Sequence, residues 1–357
     1  MKISVNKILQ LVLIYFFLVV LFLSSLFAFW VVRPNGARVN PNLEVESWDV
    51  ETDSPHNAFT DMIYWNGNFF LAFRTAPSHG SPEDASILVL KSKDAKDWDI
   101  TAEFRREGWD IRDPKMAVIN GRLFIYVISA LSVDHPTTTT FHSFTTDGTS
   151  WSALNEAEPR LKRWWRPKTI DNETWYCPIF RDEQVDLYKT TNGIEWTFQS
   201  TIYDGEGADE TDIAFKPDGT MVASTRIQTS AITGDNDKAT LISTANYPYK
   251  NWTRSKSDYN RLDGPCLFSF GQEIFAVGRY QPEVDATFHQ VGSALSKKRT
   301  SLFLLNQGEY VHLTDLPSGG DTSYPAVAIK NGFLYVSYYT KDLKRDYPWF
   351  RGMLAPA

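Results

Sequence analysis

From Ile8 to Val32 the chain is apolar without one charged residue; beyond residue 51 it turns to short, β-branched apolar runs cut by turn signals. The first stretch, at about 1.5 Å per residue, is long enough to cross a hydrocarbon core of about 30 Å. The second pattern has the period of strands, and no amphipathic helix is expected after residue 40. One unit recurs there six times: an apolar strand, a tight turn and a second, still more apolar strand. It reads FTDMIYWNGNFFLAFR (59–74), DPKMAVINGRLFIYVI (113–128), RPKTIDNETWYCPIF (166–180), ETDIAFKPDGTMVASTR (210–226), GPCLFSFGQEIFAVGRY (264–280) and SYPAVAIKNGFLYVSYY (323–339). The turns hold Gly67, Gly121, Asn172, Gly219, Gly271 and Gly332. Both residue types accept the positive φ of a tight hairpin.

A shorter repeat follows the first three units: KSKDAKDW (91–98), FTTDGTSW (144–151) and KTTNGIEW (189–196), with a degenerate form, STANYPYKNW (243–252). Each clear copy has a hydroxyl residue, an Asp or Asn two positions on, and a Trp four positions later. The Asp or Asn can accept backbone N–H groups inside a turn, and the Trp can fill the gap between neighbouring sheets. The repeat is therefore read as scaffold. Six units of about 50 residues, each able to make four strands, predict an all-β, six-bladed β-propeller preceded by one N-terminal transmembrane helix.

The expected organisation is a cytoplasmic tail (1–7), a transmembrane anchor or signal peptide (8–32), a linker (33–50) and the propeller (51–357). In the linker, NLEVESWDV (42–50) alternates like a strand and is a candidate to close the last blade. Lys2 and Lys7 precede the apolar run and favour a cytoplasmic N-terminus, whereas Arg33 and Arg38 follow it. Leu26-Phe27-Ala28 would serve as a cleavage site if the segment were a signal peptide. Either way the propeller is expected outside the cytoplasm, in the periplasm or at the cell surface, and secreted if cleavage occurs.

Net charge is −7, so a nucleic-acid partner is not expected, and an anionic ligand would need a local arginine cluster. Aromatic residues make up 14% of the chain, a composition that suits sheets and carbohydrate-facing clefts. Trp164, Trp165 and Trp349 are candidates for stacking on sugar rings or for inter-blade packing. The two cysteines, Cys177 and Cys266, lie in apolar strand-like runs and are expected as buried free thiols. The six histidines show neither HExxH nor closely spaced ligand pairs, so no metal or cofactor is expected. The protein is expected to act as a monomer.

A propeller gathers the ends of its inner strands around one axial cleft. Those ends carry His56, Arg74, Arg112, Asp113, Arg166, Glu210, Arg226, Arg279, Asp321 and Tyr324. Most are charged or titratable within otherwise apolar strands, and several from separate blades converging on one cleft point to a site. Arginine's planar fork grips a carboxylate through two parallel bonds, so clustered arginines suggest an acidic sugar.

The S/T-x-D-x-x-x-W repeat resembles the Asp-box, or BNR repeat, of the sialidase superfamily, and the resemblance covers roughly residues 51–357. It implies a Glu opening the inner strand of a middle blade and an Arg closing the next strand, which correspond to Glu210 and Arg226. An arginine heading a strand that leads into the last blade corresponds to Arg299. The nucleophilic Tyr at the start of the last inner strand corresponds to Tyr324. The acid/base on the loop after the first inner hairpin corresponds to Glu83 or Asp84 in TAPSHGSPEDASI. His79 lies on that loop. Sialidases begin their first inner strand with Arg-Ile-Pro, and the matching place here holds His56 or Asn57. Arg74 and Arg112 are the candidates to supply the missing charge, with Asp113, Arg279 and Asp321 as further substrate-binding residues.

The resemblance implies an exo-sialidase-like glycosidase acting on a sialic, ulosonic or uronic acid glycoside. A neutral Tyr whose proton passes to Glu avoids the repulsion that a carboxylate nucleophile would meet at an acidic anomeric centre. A carboxylate pair, Glu210 with Glu83, Asp84 or Asp113, would equally suit another glycoside hydrolysis. A non-catalytic glycan-binding propeller and a polysaccharide lyase remain open as alternatives.

Overall fold

The computed structural model describes residues 5–32, 36–50, 56–80, 85–129, 137–229, 240–257, 261–282, 294–341 and 347–354. An apolar helix, Val5–Val32, is followed by an all-β propeller. The stretch Val5–Phe29 is long and apolar enough to span a membrane, and none of its apolar core is buried against the propeller. The strands form six antiparallel sheets. Four have four strands, the third has five, and the last has two, Ser323–Lys330 and Phe333–Tyr339.

The six hairpins foreseen in the sequence open the six sheets. The first is His56–Trp65 with Asn68–Ala76, and the fourth is Ala208–Phe215 with Met221–Ile227. All six turn residues have positive φ, from 59° at Asn172 to 87° at Gly219. The first strand of the third sheet is broken into Arg163–Trp164 and Lys168–Thr169 around Trp165, Arg166 and Pro167.

First strands of neighbouring sheets face the axis, where one ionic knot ties all six together. Arg166 of sheet three donates to Asp61 of sheet one at 2.9 Å, to Asp212 of sheet four at 3.1 Å and to the Pro325 carbonyl of sheet six at 3.3 Å. Asp61 also accepts the Met116 N–H of sheet two, and Asp212 the Leu267 N–H of sheet five at 2.8 Å. Arg166, placed at a strand end by its sequence, is thus an axial tie, with its charge reinforced by Asp61 against the cost of burial.

The Trp-containing turns repeat one geometry. Asp94 Oδ1 accepts the N–H groups of Lys96 and Asp97, Asp147 those of Thr149 and Ser150, and Asn192 those of Ile194 and Glu195, all at 2.7–3.0 Å. These bonds hold the Asp94 carboxyl down to about 2. A fourth copy is built by Thr169, Asp171 and Trp175, where Asp171 accepts the Glu173 and Thr174 N–H groups. Its signal, TIDNETW, stood in the sequence but was absorbed into the third hairpin. The Trp196 ring lies 6.1 Å from Tyr126 of the preceding sheet, so it fills an inter-sheet gap. Trp164 and Trp165 are each 1% exposed and belong to packing, which removes them as sugar platforms. Cys177 and Cys266 are buried free thiols.

Residues 42–50 form no strand, contrary to the sequence expectation. The chain from Arg38 to Trp48 instead crosses from sheet five to sheet one on scattered single bonds. The Arg38 N–H donates to Asp315 Oδ2 at 2.7 Å, and its carbonyl accepts the Asp315 N–H at 3.0 Å. Trp48 Nε1 donates to the Ala95 carbonyl at 2.8 Å, and Glu46 pairs with Lys96. Alternation alone does not make a strand when the backbone groups find their partners singly rather than in a ladder.

Candidate functional site

Five first strands carry a register shift at the same place: Ala58/Asp61, Arg112/Lys115, Ala208/Thr211, Asp263/Cys266 and Ser323/Ala326. A bulge re-aims the side chains inside it. Phe59, Asp113, Glu210, Gly264 and Tyr324 lie inside these bulges, and all but Glu210 have positive φ. For Asp113 (50°), Ser323 (118°) and Tyr324 (48°) that conformation is costly, and such strain concentrates at functional sites.

The bulges bring Tyr324 and Glu210 together. The Tyr324 hydroxyl donates to Glu210 Oε1, while Oε2 accepts the Gly264 N–H at 2.7 Å and lies 3.0 Å from Arg226 Nη1. Both are almost completely buried, at 8% and 5% exposure. Burial pushes the Glu210 carboxyl above the ordinary carboxylate range, against the pull of Arg226. Burial and the Glu210 charge push the Tyr324 phenol well above 10, so the shared proton rests on the phenol. Four contacts hold the ring and backbone. Phe59 meets the ring edge-on at 4.9 Å, Thr60 Oγ1 donates to the Tyr324 carbonyl at 2.8 Å, Arg279 lies 5.8 Å from the ring, and Gly264 packs against it.

Lys115, not singled out in the sequence, is 1% exposed behind the pair. Its ammonium sits 4.3 Å over the Trp165 ring and 5.9 Å from that of Tyr324, and donates to the Pro114 carbonyl. Burial, then Arg166, lowers its pKa. Its signal was a lysine within a largely apolar strand.

The arginines do converge, but on protein carboxylates. Asp263 lies 2.6 Å from Arg261, 3.1 Å from Arg279 and 3.7 Å from Arg226. Burial would raise the Asp263 carboxyl, but the three arginines outweigh it and hold the group below the usual range. Arg226 also pairs with Asp209 at 2.5 Å, and Arg279 lies 3.6 Å from Asp321. Arg261 and Asp263 were missed by sequence reading, although both stand in RLDG immediately before the fifth hairpin. Arg299 opens the third strand of sheet five, paired with Tyr280, and donates to the Lys298 carbonyl.

Arg74 is wholly buried, with its fork on Asp110 at 2.8 and 3.2 Å and a further bond to the Ser78 carbonyl. It braces the loop above it. Arg112 shares Asp110 with Arg74, donates to the His79 carbonyl and lies 5.3 Å over Phe59. Asp113 Oδ1 is buried without a hydrogen-bond partner, and no ion pair to Asp113 forms among the described residues. His56 and Asp321 are wholly buried; His79 Nδ1 lies 2.6 Å and His56 Nε2 3.4 Å from Asp321 Oδ2. Glu83 and Asp84 lie outside the described residues. At the opposite ends of the inner strands, a cavity of about 370 Å³ is lined by Met62, Val118, Lys168 and Phe215. Its lining cations Lys168 and Arg166 are both already paired with Asp212, at 2.7 and 3.1 Å.

No family model matches the sequence, and no curated protein matches it. Solved structures do. A Dyadobacter fermentans protein of unknown function is 17% identical with a TM-score of 0.64, covering 89% of this chain and 97% of that one. A Trypanosoma rangeli sialidase is 13% identical with a TM-score of 0.59, covering 85% of this chain and 54% of the other, so the chain spans about half that enzyme's length. A Bombyx mori GH32 beta-fructofuranosidase is 15% identical with a TM-score of 0.51, covering 81% and 68%. The fold is that of the sialidase-like propellers.

Proposed function

We propose that the chain is a glycoside hydrolase of the sialidase-like type, with Tyr324 as nucleophile and Glu210 as its base. The observation that carries the reading is the buried hydrogen bond between them, built from bulges in sheets four and six. Phenol oxygen attacks the anomeric carbon as Glu210 accepts the phenol proton. The glycosidic C–O bond breaks, and the leaving oxygen takes a proton from an acid. Water, giving one proton to the conjugate base of that acid, then attacks the anomeric carbon and cleaves the tyrosyl glycoside, and the proton returns from Glu210 to Tyr324. The raised Glu210 pKa makes it a stronger base than an exposed carboxylate. Glu83 or Asp84 is the acid in this scheme, and Asp113, with its unpartnered oxygen, is the described carboxylate that could replace them. The two-stranded sheet is read as the inner half of a sixth blade, and the Val5–Val32 helix as an anchor holding a monomeric propeller outside the cytoplasm.

The concentration of arginines supports an acidic sugar, with Arg226, Arg279 and Arg112 nearest the pair and Arg299 farther out. One observation favours a neutral sugar instead: the Asp263 carboxylate already takes the charge of Arg226, Arg261 and Arg279. A screen of the full chain in detergent against sialosides, ulosonosides, uronosides and neutral glycosides separates the two. Release of a reducing sugar that is lost in Tyr324→Phe supports hydrolysis. An ultraviolet-absorbing unsaturated product would establish a lyase, and binding without any product a glycan-binding propeller; either overturns the reading.

A further inference from the structure

We propose that His56, His79 and Asp321 bind one divalent transition-metal ion at the mouth of the axial cleft, a site independent of the glycosidase reading. His56 opens the first strand, His79 sits on the loop after the first hairpin, and Asp321 precedes the last hairpin. One donor atom from each lies within 4.8 Å of the other two. The two imidazole nitrogens approach the same oxygen, Asp321 Oδ2, at 2.6 and 3.4 Å. Metal bonds of about 2.0–2.2 Å to nitrogen and carboxylate oxygen require only small side-chain shifts from these positions.

The other oxygen of Asp321 is fully occupied. Oδ1 accepts the Tyr339 hydroxyl at 2.9 Å and Trp349 Nε1 at 3.0 Å, and lies 3.6 Å from Arg279. Bonds of this kind fix a ligating carboxylate, here with Oδ2 turned toward the two imidazoles.

His56 turns only its Nε2 toward Asp321. It is wholly buried, and its Nδ1 has no hydrogen-bond partner. A neutral imidazole has one N–H and one lone pair. If the N–H is on Nε2, the Nδ1 lone pair is orphaned. If it is on Nδ1, the Nε2 lone pair faces Asp321 Oδ2 3.4 Å away. A cation between Nε2 and Oδ2 removes that repulsion.

Two imidazoles and one carboxylate suit zinc, cobalt or nickel, and not calcium or magnesium, which require oxygen donors. Three protein ligands leave coordination positions open, and the His79 side chain is 20% exposed, so water or a ligand oxygen can reach the ion. The Phe59 ring lies 5.2 Å from His79 and 4.9 Å from Tyr324, which puts the ion one aromatic ring from the Tyr324–Glu210 pair. Arg279 and Lys341 are the nearby cations, and burial brings Lys341 down to about 8. Sequence spacing gave no sign of this site, because its ligands come from residues 56, 79 and 321.

The test uses the full chain in detergent, stripped with a chelator, then titrated with zinc by calorimetry and with cobalt by visible absorption. One equivalent should bind, cobalt should give ligand-field bands, and His79→Ala should weaken binding roughly tenfold or more and abolish the bands. His79 is partly exposed, so this variant retains its fold, as circular dichroism will verify. Asp321→Asn provides a second arm, keeping an acceptor for Tyr339 and Trp349 while removing the charge. Absence of zinc binding by the folded wild type, or equal binding by folded His79→Ala, overturns the site.

Discussion

The Tyr324 hydroxyl donates a hydrogen bond to Glu210 Oε1 across 114 residues of sequence, and Arg226 lies 3.0 Å from the other oxygen of the same carboxylate. Tyr324→Phe removes one oxygen and keeps the ring. It should reduce turnover by several orders of magnitude while leaving the melting temperature nearly unchanged. Glu210→Gln should cost a similar factor, and the double variant should be little worse than either single one, because the two residues act as a unit. Near-wild-type turnover in folded Tyr324→Phe would remove the nucleophile assignment.

The pH profile follows from the same pair. Glu210 works as a base only when ionised, and burial raises its pKa. Activity should therefore fall as pH drops through a value above that of an ordinary glutamate, near 4.3. For stability the sign is opposite. A carboxyl with a raised folded pKa destabilises the fold as pH rises past its unfolded value, so Glu210→Gln should gain stability at neutral pH relative to acid. Parallel kcat/KM and melting profiles of the wild type and this variant check both.

Gly264 has φ of 57°, and a Cβ there would stand 3.0–3.1 Å from the ring and Cα of Tyr324. Gly264→Ala should cost about 1–3 kcal/mol from the backbone alone. It should also lower kcat more than KM changes, by displacing the nucleophile. Denaturant melts and steady-state kinetics on the same preparation separate the two effects.

Arg166→Met should be severe. It leaves Asp61 and Asp212 buried at the axis without their shared guanidinium, a loss of about 3–5 kcal/mol. Trp196→Ala should cost about 3–5 kcal/mol by opening the gap beside Tyr126 and Trp164, without changing ligand affinity of the folded fraction. Loss of affinity at normal stability would show that the Trp turns serve binding rather than scaffold.

A chain starting at residue 36 should melt higher than one starting at residue 51. The shorter chain loses the Arg38–Asp315, Trp48–Ala95 and Glu46–Lys96 contacts. Equal melting temperatures would mean that the crossing segment contributes nothing to closure.

The sequence by itself determined the six hairpins, their turn residues and the membrane-length helix, because strand period, positive-φ turns and apolar length are local properties. It also put Glu210, Tyr324 and Asp113 at strand starts. Tertiary structure decided which of these meet. The bulges that aim Tyr324 at Glu210 are set by pairing registers between strands, and nothing in SYPAV or ETDIA marks them. Arg74, Arg112, Arg166 and Arg226 read alike in the sequence, and Asp110, Asp61, Asp212 and Asp209 draw all four into ion pairs. Asp263 draws Arg279 from its own sheet, Arg261 from just before it and Arg226 from the adjacent one, whereas ring closure brings His56 and His79 of sheet one to Asp321. Charge neutralisation in a low-dielectric cleft depends on those distances, and spacing along the chain does not encode them.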